Sequence, residues 1–268
     1  MKSDAGRPLR RVLVPLDGSV RSRRVLPAAV AFAKQAGVNL ELLSVHAPGG
    51  GWEQHLQSVA DDLPVRDVDT TLVSTGPADE AIAELADRVP GTVVCMATRA
   101  RTGLSGVLVG SVAARVVRRA SSPVMLIGPH ASTADVPSTY TTLAVCLSGS
   151  ERSARLVPIA STWARQLGIG VALVHGHVQD AGTEDPVEAT MTRLHTLAGQ
   201  VPSDHPPSVH AASGATPADG VRRYLEQHRR ALPLVSIRTG SRLEQLLPGG
   251  FTTELLQHAP GPVVTITP

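Results

Sequence analysis

Residues 97–112, ATRARTGLSGVLVGSV, place a run of small residues before a Gly-Ser pair and an Ala/Val/Arg helix. That order suits anion binding. Backbone N–H groups approach a phosphate closely only where side chains are small, and a helix opening at Gly110-Ser111 turns its positive end toward the ligand. Ala97 and Ala100 stand where a phosphate-cradling loop would carry glycine. Arg99 and Arg101 could neutralise phosphate charge, although solvated surface arginines are the commoner arrangement.

Other candidate chemistries are weaker. SGSERS at 148–153 brushes against the S-G-G-x-D-S loop of ATP pyrophosphatases but lacks its second glycine and its aspartate. Its sister segment DGSVRS reads as a strand-to-helix turn. His175 and His177 are expected to face opposite ways at a strand end, and no carboxylate or cysteine stands near them at metal-ligand spacing, so no metal site is expected. Cys95 and Cys146 each lie inside an apolar run and read as buried free thiols. No catalytic residues are assigned.

The elements that must position these residues follow from composition and pattern. Among 268 residues, 25 are Lys or Arg and 23 are Asp or Glu, a net charge of +2. The arginines are spread along both halves, which excludes the concentrated basic face of a nucleic-acid binder. Only six residues are Phe, Trp or Tyr, so the cores must be built from Val, Leu, Ile and Ala, as in parallel sheets buried on both faces. The apolar run VLVPL ends at Asp17, too short for a signal peptide or a membrane span, and a cytoplasmic protein is expected.

An internal repeat organises the chain. The segment from Val12, VLVPLDGSVRSRRVLPAAVAFAKQAGVNLELLSVHA, aligns without a gap on LAVCLSGSERSARLVPIASTWARQLGIGVALVHGHV from Leu143. Gly18-Ser19 pairs with Gly149-Ser150, Pro27 with Pro158, Gln35 with Gln166 and His46 with His177. In the first copy strands are predicted at 11–16, 39–46, 68–74 and 123–128, with a further buried strand over TVVCMAT. Helices are predicted at 20–36, 52–62 and 110–120, and over PADEAIAELADRV. Alternation of this kind implies right-handed crossovers and a doubly wound parallel sheet. Domains are expected at 1–130 and 142–268, with 131–141 as linker. In such sheets ligands bind beyond the carboxyl ends of the strands, where Asp17, Val45 and the loop from Ala97 are expected to converge.

VLVPLDGS, LLSVHAP and MATRARTGLSGVLVGSVAARVVRRASSPVMLIGP resemble the universal stress protein family, and the resemblance covers the chain twice. It implies two tandem α/β domains, each a five-stranded parallel sheet with helices on both faces. Their last strands, 123–128 and 262–267, would pair into an internal pseudo-dimer, which could itself form a homodimer. ATP-binding members carry G-x2-G-x9-G-[ST]. Counted back from Gly110-Ser111, its first two glycines fall on Ala97 and Ala100, while Gly103 and Gly106 are out of register. If either alanine required a left-handed backbone, its Cβ would add roughly 1–2 kcal/mol of strain.

By this resemblance Asp17 and Val45 meet the adenine end of ATP, Ala97 and Ala100 line the loop, and Gly110, Ser111 and Val112 serve the phosphates. Magnesium would accompany the nucleotide. The second half has Ser148 for Asp17, Gly176 for Val45, Ser236 and Thr239 for the alanines, and Gly249-Gly250 for Gly110-Ser111. Its site is expected to be empty and the half structural. The function implied is ATP binding by a stress-response regulator with slow or no hydrolysis, without nucleic-acid or membrane partners. The competing reading is an interaction module that binds no nucleotide and recruits a protein partner under stress.

Overall fold

A computed structural model describes every residue except 1–5, 48, 99–110, 135, 179–185, 202–205 and 238–249. Short apolar runs form strands, and the alanine-rich and amphipathic segments between them form helices. The first half runs β1 (Arg11–Pro15), α1 (Leu26–Ala36), β2 (Asn39–Val45), α2 (Trp52–Asp61), β3 (Asp69–Val73), α3 (Ala78–Arg88), β4 (Thr92–Ala97), α4 (Ser111–Arg119) and β5 (Val124–Ile127). The second runs β6 (Thr142–Cys146), α5 (Glu151–Ala154), α6 (Leu156–Leu167), β7 (Gly170–Val178), α7 (Pro186–Gly199), β8 (Ser208–Gly214), α8 (Pro217–Gln227), β9 (Ala231–Ser236), α9 (Phe251–His258) and β10 (Val263–Ile266). The one long helix expected at 20–36 is divided: a 3-10 turn at Ser22–Val25 precedes α1, whose first turn contains Pro27. Proline suits a first turn because it lacks the N–H that would go unpaired there.

The strands form one ten-stranded sheet in the order β3-β2-β1-β4-β5-β10-β9-β6-β7-β8. Pairing is parallel within each half and antiparallel only at the centre, where Val263, Val264 and Thr265 face Leu126, Met125 and Val124. The two five-stranded sheets expected from the repeat are thus continuous through β5 and β10, and Thr265 Oγ1 donates to Val124 O at 3.0 Å across that seam.

Alternation along the strands sends side chains to two cores. Val12 and Val14 of β1 pack with α1, α2, α6 and α7 on one face. Leu13, Leu43 and Val94 pack with α3, α4, α8 and α9 on the other. The halves meet on the first face, where Phe32 and Trp163, equivalent positions in the repeat, pack with ring centroids 6.0 Å apart. At the amino-terminal end of the strands, Arg11 is buried against Glu41 at 2.6 Å. Its remaining donors reach Thr92 Oγ1 and Leu85 O, so neither charge lacks partners in the interior.

Candidate functional site

β1, β2 and β4 end on the same side of the sheet, and a cleft of about 290 Å³ opens there. Its walls include Leu43, Val45 and Met96 from the strands and Ile82 from α3, and Asp17 and Ser22 stand at the turn after β1. Ser111, Val112 and Ala113, the first residues of α4, close one end. The orientation of α4 is set by ion pairs to α3. Buried Asp79 takes Arg115 at 2.8 Å and Arg119 at 3.0 Å, and Glu80 takes Arg119 at 3.0 Å.

Of the residues expected at the site, Asp17, Val45, Ala97, Ser111 and Val112 all line this cleft. Ala100 and Gly110 lie outside the described residues, as do Arg99, Arg101, Gly103 and Gly106. Ala97 answers part of the question about the missing glycines. It is the last residue of β4, in parallel register with Ile127, and the one described non-glycine residue with positive φ is Asp67. Its Cβ therefore sits on ordinary extended backbone, and the methyl narrows the cleft without straining the chain.

Asp17 also shapes the turn that holds it. Its Oδ1 accepts from the Ser19 N–H at 3.0 Å and from Ser19 Oγ at 2.5 Å. Both the turn-forming and the ligand-facing readings of this carboxylate are compatible with its position.

Trp52 is the feature that sequence reasoning missed. Its indole lies flat on the His46 ring, with centroids 3.5 Å apart and planes 7° from parallel. Its far edge covers Gly18, where a Cβ would come within 2.7 Å of Trp52 Cη2. Gly18 has φ of +78°, so both its backbone and its neighbour exclude a side chain. His55 meets Trp52 edge-on at 5.6 Å and is joined to Arg23 at 3.2 Å. The available signal was the rarity of aromatics in this chain and the place of Trp52 at the first position of α2. In the second half Thr190 occupies the equivalent place, 3.2 Å from a Cβ on Gly149, which has the same φ of +78°.

The equivalent cleft at the ends of β6, β7 and β9 measures about 560 Å³ and is lined by Ser148, Gly176, Ser236 and Gly250 among others. Thr239 and Gly249 lie outside the described residues. SGSERS forms a helix start here, with Ser150 as N-cap of α5 accepting from the Ser153 N–H at 3.3 Å. The expectation that His175 and His177 face opposite ways is wrong. Residues two apart in a strand share a face, and the rings stand 6.4 Å apart and 16° from parallel. Among the described residues, no group of three or more His, Cys, Asp or Glu could hold a metal. Cys95 and Cys146 are buried free thiols, and burial pushes both pKa values up, that of Cys146 to about 12. No helix among the described residues is long and apolar enough to cross a membrane.

With this geometry established, similarity to known proteins is informative. The whole fold matches a universal stress protein from Archaeoglobus fulgidus with a TM-score of 0.74 at 19% identity, covering 100% of this chain and 99% of that one. A functionally unknown protein from Pseudomonas aeruginosa PAO1 matches with a TM-score of 0.68 at 17% identity, covering 99% and 95%. At such identities these likenesses speak for the fold alone. In sequence, a universal stress protein from Methanocaldococcus jannaschii is 26% identical over 140 residues, which span 44% of this chain and 81% of that protein. Residues 51–128 match the model of the Universal stress protein family. Residues 51–128 thus carry a Universal stress protein domain, and the fold of the whole chain is the one seen in universal stress protein structures.

Proposed function

We propose that the amino-terminal cleft binds ATP non-covalently and that the protein is a nucleotide-responsive regulator of a stress response. The observation that carries this reading is the convergence of Asp17, Val45, Ala97, Ser111 and Val112 on one cleft. The residues present suit the ligand. Leu43, Val45 and Met96 offer apolar surface to a base, Asp17 offers a carboxylate to its amine or to ribose hydroxyls, and the start of α4 offers amide donors to phosphate. Magnesium would travel with the phosphates.

Binding with slow or no hydrolysis fits this site better than turnover. Asp17 is the one acidic residue lining the cleft among the described residues, and its Oδ1 is engaged by Ser19. The second half, joined through β5 and β10, would complete an internal pseudo-dimer whose stability does not depend on concentration.

Titration calorimetry of the full chain with ATP tests the reading, together with mass spectrometry of small molecules released on denaturation. ATP binding that Asp17→Ala weakens is expected; absence of ATP binding at millimolar ligand overturns it. Phosphate release measured on the same samples should stay near background.

A further inference from the structure

The second cleft is larger than the first, about 560 Å³ against about 290 Å³, although the sequence reading leaves it without a ligand. Ser148 and Gly176, at the positions equivalent to Asp17 and Val45, change the lining without closing the space. Ser148 replaces the carboxylate of Asp17, and no acidic residue lines this cleft among the described residues. Arg152 does line it, and its guanidinium makes no hydrogen bond or ion pair with any described residue. Beside it the Ser148 and Ser150 hydroxyls lie 3.0 Å apart and 3.3 and 3.2 Å from Ser153 Oγ, a cluster from which a hydroxyl can turn its proton toward an anion. One end of this cleft is thus cationic and lined by a hydroxyl cluster.

The rest is apolar. Leu147, Val174, Val235 and Phe251 supply the walls. The side beside α8 is closed by backbone: a Cβ on Gly176 would fall 2.0 Å from the Pro217 carbonyl oxygen, so only glycine lets that helix start lie against β7. His175 Nδ1 lies 2.9 Å from Leu147 O, and donation there leaves Nε2 as an acceptor. A pocket with one polar end and apolar walls is the usual form of a small-molecule site.

We propose that the carboxyl-terminal cleft is a separate ligand site for a small amphiphilic anion. Its phosphate or carboxylate group meets Arg152 and the Ser148 and Ser150 hydroxyls, and its apolar or aromatic body lies against Leu147, Val174, Val235 and Phe251. A free nucleotide is disfavoured because the residue equivalent to Asp17 offers no carboxylate. The site is independent of the ATP reading for the first half.

Calorimetry on the full chain with phenyl phosphate and with phenylacetate tests this, with inorganic phosphate and benzyl alcohol as controls. One of the two aromatic anions is expected to bind once per chain, more tightly than either control, and the better of the two identifies the anionic group. Ser148→Asp, which restores negative charge at an exposed position, should weaken binding at least about tenfold, as should Arg152→Ala. Asp17→Ala should leave it unchanged, and ATP titrated into Ser148→Asp should behave as with the unaltered chain. Circular dichroism of each variant separates misfolding from loss of the site. No binding of either aromatic anion at millimolar concentration overturns the proposal. So does binding that Asp17→Ala removes and Ser148→Asp leaves intact.

Discussion

Gln35 and Gln166, equivalent positions in the repeat, perform the same task in opposite directions across the junction of the two halves. Gln35 Nε2 donates to Tyr140 O at 2.8 Å and to Leu167 O at 3.2 Å, and its Oε1 accepts from the Tyr140 N–H at 2.7 Å. Gln166 Nε2 donates to Leu9 O at 2.9 Å and to Ala36 O at 3.2 Å, and its Oε1 accepts from the Leu9 N–H at 2.7 Å. Leu9 and Tyr140 are the residues that lead into β1 and β6, so each copy holds the other at the entry of its central strand.

Removing either amide leaves partly buried backbone groups of the opposite half without partners. Gln35→Leu and Gln166→Leu should each lower stability by about 1–3 kcal/mol. Chemical denaturation of each variant measures this. A loss confined to one half, seen as a second unfolding transition, would show that the clamps are what keep the halves cooperative.

Gly18 and Trp52 give a test with two separable parts. Gly18→Ala meets strain from its positive φ, about 1–2 kcal/mol, together with the clash against the Trp52 ring. Trp52→Ala should remove the clash but not the strain, so the double variant should be more stable than the sum of the single losses. Fluorescence reports the same event, because the other tryptophan, Trp163, is buried between the halves.

Ala97→Gly should alter ATP affinity only slightly, less than about threefold, since the alanine already sits on unstrained extended backbone. Glycine within a strand should cost roughly 0.5–1 kcal/mol of stability. A large gain in affinity measured by calorimetry would show that the methyl group itself obstructs the phosphates.

Stability should also depend on His210. It lies on β8 beside the stacked pair Tyr224 and His228, with ring centroids 5.1 and 6.0 Å away. Burial, and then the charge of His228, lower its pKa below the ordinary value of 6.5. The unfolded chain therefore binds the proton more readily. The contribution of His210 is fully present above pH 6.5 and is lost as pH falls through its lower folded value. Denaturation midpoints measured between neutral and mildly acidic pH should fall, and His210→Gln should flatten that part of the profile.

The duplication, the alternation of strands and helices, the parallel sheets and the positions of Asp17, Val45 and Ser111 were all legible in the sequence. The duplication shows as self-similarity between distant segments, and the others rest on local patterns: apolar runs, a Gly-Ser turn after a strand, and proline near a helix start. Tertiary structure decided the rest. The lay of Trp52 on Gly18, the reach of Gln35 to Tyr140 and the ordinary backbone at Ala97 depend on elements distant in the chain. So does the open second cleft, where Ser148 and Gly176 stand at the positions equivalent to Asp17 and Val45. Periodicity and turn chemistry act over a few residues, whereas these relationships arise only when whole helices settle on a twisted sheet and their side chains compete for the same space.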